Sequence, residues 1–133
     1  MDTVQQQTAG QLEREISQKV QALYKRRLGH QPSKVTCQLF DEKLAVVLEN
    51  SVTQPELLLA EEGRAELAQQ VRTQLNQAMQ SLVKELVENI LQVKVLDVLS
   101  EATLETGRTG IILILSNTPT VRNPEAIPKV RKV

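Results

Sequence analysis

Residues Val52 to Ile90 constrain the fold more than any other stretch of this chain. They read as a marked helix start followed by more helix than a small domain can cover. Thr53-Gln54-Pro55-Glu56 spells a capping box. In such a box the threonine hydroxyl accepts from the backbone N–H three residues on, and the glutamate carboxylate accepts from the threonine N–H. Val52 and Leu57 have the spacing of a hydrophobic staple around that cap. Gly63 is a candidate interruption, since glycine costs about 1 kcal/mol inside a helix. Beyond it, Leu67, Val71, Leu75, Ala78, Leu82 and Leu86 fall on one stripe, widened by Ala68, Met79, Val83, Val87 and Ile90. A stripe this broad faces a core and not a narrow coiled-coil seam.

The flanking segments supply the rest of a two-layer domain. Leu12, Ile16, Val20, Leu23 and Tyr24 recur at helical spacing and predict a helix from Ala9 to Leu28. Lys25, Arg26 and Arg27 fall in its last turn, where cations meet the negative end of the helix dipole. Gly29 and Pro32 end it. Val35 to Phe40 alternates with a period of two and Leu44 to Leu48 follows after a short turn, which predicts a hairpin. A third strand runs from about Gln92 through Val98, with its alternation slipping between Val95 and Leu96 as at a β-bulge. Thr106-Gly107-Arg108 is the best turn before a fourth strand, Thr109 to Leu115. The predicted fold is α+β, in the order α-β-β-α-β-β, with a four-stranded, largely antiparallel sheet and one long helix. Residues 1–8 are expected to be a flexible N-terminus and 9–116 a single domain. Residues 117–133, with Pro119, Pro124 and Pro128, are expected to form an extended basic tail.

Two lengths do not balance in this plan. The helix from Arg64 to Asn89 would be about 39 Å long, whereas a seven-residue strand spans about 23 Å. The fourth strand, which contains Ile111 to Leu115, is apolar on both faces and so calls for burial on both. Two copies packed together would cover both surpluses, and a homodimer is therefore expected.

Composition excludes several classes of function. With 41% hydrophobic and 24% charged residues, the 133-residue chain is globular in composition and large enough for its own core. Tyr24 and Phe40 are its only aromatics, which argues against a stacking platform for single-stranded nucleic acid. Cys37 is the only cysteine, so no internal disulfide can form; its alternation with apolar residues predicts a buried, inert thiol. The polar, Gln-rich N-terminus does not read as a signal peptide, and the apolar run Ile111–Leu115 is far too short to cross a bilayer. A cytoplasmic protein is expected, peripheral to a membrane only through a partner. The net charge of zero is unevenly distributed. Residues 1–34 carry six basic and three acidic groups, 35–118 six and twelve, and 119–133 four and one. That pattern reads either as solvated faces or as electrostatic complementarity within a dimer or toward a partner.

No pattern of residues calls for a cofactor, a metal or a catalytic centre. His30 is the only histidine, and it lies in a helix-to-strand loop without a partner that would position it as a base. The pairs Asp41-Glu42 and Glu61-Glu62 fall in a turn and at a helix break, not in the contrasting environments that catalytic carboxylates need. Gly107-Arg108-Thr109-Gly110 has a GxxG spelling but sits in a hairpin turn instead of between two helices. The expectation is a protein that is not an enzyme. The candidate contacts are Lys25, Arg26, Arg27, His30 and Lys34, with Arg108 from the hairpin turn. They read either as helix capping and surface charge or as contacts for an anion, an acidic partner or a phosphate backbone.

The ordered motifs also resemble a known bacterial domain family. They are LYKRRLGHQPSKV, then LENSVTQPELLLAEEGRAELAQQVR, then VKVLDVLSEATLETGRTGIILI. Leu23, Tyr24, Gly29, Pro32, Thr53, Glu56, Leu59, Glu62, Gly63, Arg72, Thr106 and Gly107 carry the most specific matches. The family is the C component, MpsC-like, of a sodium-translocating, membrane-potential-generating system. The resemblance spans about residues 10–116. It implies a non-enzymatic, cytosolic accessory or regulatory protein, linked to a membrane system that transports cations or inorganic carbon. It implies a protein partner, no cofactor, and no catalytic residues to carry over. The alternative is an anion- or nucleic-acid-binding module using the cluster around Lys25–Lys34 and the basic tail. Zero net charge weighs against nucleic acid as the ligand.

Overall fold

The computed structural model describes residues 6–129. Helix α1 (Ala9–Leu28) is followed by the hairpin β1 (Lys34–Phe40) and β2 (Lys43–Glu49). Two helices come next, α2 (Gln54–Glu61) and α3 (Ala65–Leu91), then β3 (Val95–Ala102) and β4 (Thr109–Leu115). A single 3-10 turn at Pro124–Ala126 closes the described chain. All three strand pairings are antiparallel, and the sheet is open with the order β1-β2-β4-β3. The predicted α+β layout therefore holds, with Gly63 dividing the long helical region in two. Gly63 adopts φ +78°, a left-handed conformation that side chains with a Cβ adopt only at a cost.

One face of the sheet carries the helices. Leu39, Leu44, Val46, Leu48, Ile111, Leu113 and Leu115 point into the core against Leu12, Ile16 and Val20 of α1 and Met79, Val83 and Val87 of α3. The alternating residues of the same strands form the other face, which no element among the described residues covers. Val47 is 40% exposed and Leu99 54%. The slip of alternation predicted in the third strand is a register shift between Val95 and Asp97, and it leaves Leu96 outward.

Four expectations need correction. The buried positions of α3 are Ala68, Arg72, Met79, Val83, Val87 and Leu91, whereas Leu67 is exposed. The core face is thus rotated from the all-apolar stripe toward one that admits an arginine. The helical overhang is met inside the chain, because α2 folds back on the first turns of α3 and helps bury Ala68 and Arg72. The tail, expected to be extended, is packed as far as it is described. Val121 and Ile127 lie in the core. The Arg122 N–H donates to Gln7 O at 3.0 Å, the Asp41 N–H to Pro128 O at 2.8 Å, and the Ala9 N–H to Asn123 Oδ1 at 2.8 Å. Burial of two branched apolar side chains outweighs the extended preference of the prolines around them. Gln7 and Thr8, assigned to the flexible N-terminus, are held as well. Thr8 and Gln11 form a capping box on α1, with Thr8 N–H to Gln11 Oε1 at 2.8 Å. Residues 1–5 and 130–133, including Arg131 and Lys132 of the basic tail, lie outside the described residues.

Candidate functional site

The capping box at the start of α2 leads into the least expected site of the molecule. The box is closed, and Glu56 Oε1 accepts from both the N–H of Thr53 at 3.0 Å and its hydroxyl at 2.8 Å. Of the predicted staple pair, Val52 is buried and Leu57 is exposed. Glu56 is only 1% exposed, a burial that a carboxylate tolerates only with a charged or hydrogen-bonding partner. That partner is Arg72 from α3, itself 3% exposed, with Nη1 at 3.4 Å from Glu56 Oε2.

The guanidinium ties four segments together. Arg72 Nη1 donates to Ser51 O at 3.2 Å, and Nη2 donates to Ser51 Oγ at 2.7 Å and to Arg108 O at 3.1 Å. Ser51 Oγ donates onward to Gly107 O at 2.9 Å and lies 2.9 Å from Thr109 Oγ1. The β2–α2 junction, α2, α3 and the β3–β4 turn therefore meet on one buried cation. Arginine suits this role because its fork presents five donors in fixed directions. Tyr24 of α1 forms the floor of the cluster beside a cavity of about 10 Å³. Burial pushes the Tyr24 phenol up to about 12, against a smaller opposing pull from the Arg72 charge. Neither Tyr24 Oη nor Arg72 Nε has a hydrogen-bond partner among the described residues. Chemically the cluster is a clip, because Glu56 neutralises Arg72 and the Ser51 and Thr53 hydroxyls are engaged by neighbouring acceptors.

The sequence-predicted contacts do not form one site. His30, Lys34 and Arg108 gather near the end of the sheet where β1 begins and β2 ends. His30 Nε2 donates to Asn50 O at 2.8 Å, and Arg108 Nε donates to Glu49 Oε1 at 2.7 Å. Lys34 stands opposite Glu49 in the β1–β2 register. Arg26 and Arg27 instead border a groove of about 350 Å³ between α1 and α3, where Glu85 supplies an opposing charge. The Lys25 side chain is exposed in the last turn of α1, and its carbonyl accepts the Gly29 N–H. Cys37, expected to be buried, is half-buried, with Sγ donating to Glu13 O at 2.8 Å. Its pKa is raised, chiefly by burial. Among the described residues no group of three His, Cys, Asp or Glu side chains is placed to hold a metal ion. No described helix is long and apolar enough to cross a membrane.

Sequence reasoning missed the second half of the clip and the exposed leucines beside it. Glu56 was visible through its cap, but Arg72 lies sixteen residues further on, in a segment whose apolar stripe points elsewhere. Glu56 is the only residue that α2 buries, while Leu57 and Leu58 stand 37% and 58% exposed and Leu67 of α3 41%. Glu61, Glu62 and Glu66 are exposed around them.

These features define a small open-faced α+β module, with two helices on one side of its sheet and a buried ion pair locking a helical elbow. The chain belongs to the family described as Na+-translocating membrane potential-generating system (MpsC), whose model matches residues 8–117. Tyr24, Thr53, Glu56, Arg72 and Gly107, on which the sequence resemblance rested, are the residues that converge on the clip. No curated protein and no solved structure matches the chain.

Proposed function

We propose that this chain is a non-enzymatic, dimeric accessory component of a Na+-translocating membrane system, and that it docks on a membrane protein through the elbow of α2 and α3. The observation that carries the reading is the inverted polarity of α2, which buries a glutamate and turns Leu57 and Leu58 toward solvent. Exposed leucines gathered at one elbow suit a surface that a partner covers. The acidic rim of Glu61, Glu62 and Glu66 favours a partner segment that is basic around an apolar face. The family description supplies the membrane system. The division of the predicted basic cluster between a groove and a sheet end, with Arg108 engaged by Glu49, speaks for protein docking over phosphate-backbone binding.

The test is affinity purification from native membranes, with nuclease-treated and untreated samples compared. The expected result is recovery of one integral membrane protein in both samples, and its loss with Leu58→Glu in a chain that keeps its fold and oligomeric mass. Material that disappears with nuclease would instead support the nucleic-acid reading. Unchanged recovery with Leu58→Glu would remove the elbow from the interface.

A further inference from the structure

The open face of the sheet has a charge pattern that matches its own copy. Its outward positions on β1 and β2 include Lys34 and Lys43, and those on β3 include Asp97 and Glu101. Between them runs an apolar band of Ala45, Val47, Ile112, Ile114 and Leu99. Glu49 and Arg108, which would break the pattern, neutralise each other at one end. One half of the face is therefore basic, the other acidic, and the middle apolar.

Both sheet edges are partly engaged within the chain. Along β1, the Leu39 N–H is taken by Glu13 Oε2 at 2.7 Å, and the Asp41 N–H beyond the strand by Pro128 O. Along β3, the Val95 N–H is taken by Glu88 Oε2 at 2.9 Å and Ala102 O by Gln69 Nε2 at 3.1 Å, and the bulge disturbs the strand between them. Edge groups taken up in this way, with a bulge in β3, disfavour extension of the sheet, and the charge pattern favours the face as the surface for association.

We propose that two copies pack sheet face to sheet face about a two-fold axis parallel to the strands. The proposal rests on the dimeric part of the reading above and names its interface. This axis places β1 and β2 of one copy over β3 and β4 of the other, so the lysine half meets the acidic half twice. An in-plane axis perpendicular to the strands would lay each β3 over its own copy and oppose Asp97 and Glu101 to like charges. Face-to-face sheets with nearly aligned strands are a standard solution for two such layers. The face measures roughly 19 by 23 Å from strand spacing and rise. That is small beside the ~800 Å² per partner of a standard interface, so the dimer is a reversible one in the micromolar range.

Sedimentation equilibrium of the full chain tests this, with circular dichroism confirming the fold of each variant. Wild type is expected to dimerise at micromolar concentration. Lys43→Asp and Asp97→Lys are each expected to weaken the dimer about tenfold or more, since like charges then face each other. Mixing the two variants is expected to restore a dimer, because each then supplies the charge the other lacks. A monomeric wild type would overturn the dimeric reading itself. A wild-type dimer that both single variants leave intact, or a mixture that stays monomeric, would overturn this interface and leave the dimer to another surface.

Discussion

Glu56 and Arg72 illustrate how a single residue can be read correctly and yet incompletely. The cap made Glu56 legible as the N3 residue of a helix, and it occupies that position. Its second role, neutralising a buried arginine, depends on a residue that only folding brings near. Removing one partner of such a pair strands the other charge in the interior at a cost of about 3–5 kcal/mol. Glu56→Ala is expected to destabilise the fold by that amount in urea denaturation. A Glu56→Leu/Arg72→Met double variant should lie closer to wild type than Glu56→Ala does. If the double variant loses as much as the sum of the single changes, the two residues are not coupled.

Tyr24 provides a second measurement at this scale, and it is the only tyrosine. Its folded pKa of about 12 lies above the ordinary 10 because burial disfavours the phenolate. The protonated ring is therefore favoured in the fold, and this stabilisation is complete below pH 10 and lost as pH rises toward 12. The tyrosinate absorbance of the native protein should appear about two pH units late. Tyr24→Phe should remove its contribution to the alkaline loss of stability. Because the hydroxyl has no partner among the described residues, that variant should cost little at neutral pH. A phenol that titrates near 10 in the folded protein would contradict this account.

At the scale of elements, periodicity located the helices and three of the strands well, started the third strand at Gln92, where α3 is capped, instead of at Val95, and assigned one face wrongly. Helix α1 runs from Ala9 to Leu28 as its repeat predicts, and β4 from Thr109 to Leu115. The slip between Val95 and Leu96 is a bulge because the side-chain period of a strand is two, and an extra residue must break it. The stripe of α3 was misread because hydrophobic pattern treats every arginine as surface. Arg72 lies on the core face since Glu56 and the acceptors of Ser51 and Arg108 satisfy it there. That choice turns Leu67 outward and helps create the exposed elbow.

For the whole molecule, the largest revision concerns the tail. Prolines and basic residues read as an extended arm, yet Val121 and Ile127 are 5% and 3% exposed and belong to the core. Burying each such side chain contributes about 1.5–3 kcal/mol. Deleting residues 117–133 should therefore lower stability by about 3–6 kcal/mol, read as a shift of the urea midpoint. A truncated chain with the wild-type midpoint would show that the tail adds nothing. The same scale separates the two arguments for a dimer. The helical overhang no longer argues for one, because α2 packs against it, while the uncovered second face of β4 remains the support for the proposed dimer.

Sequence alone determined the α+β class, the break at Gly63, the bulge and the family, since each is written in local periodicity, in backbone freedom or in an ordered set of motifs. Tertiary structure decided which charges are buried, which leucines are exposed and where the tail lies. Those outcomes depend on partners far apart in the chain, and the electrostatic and solvation energies that select them exist only once the partners meet.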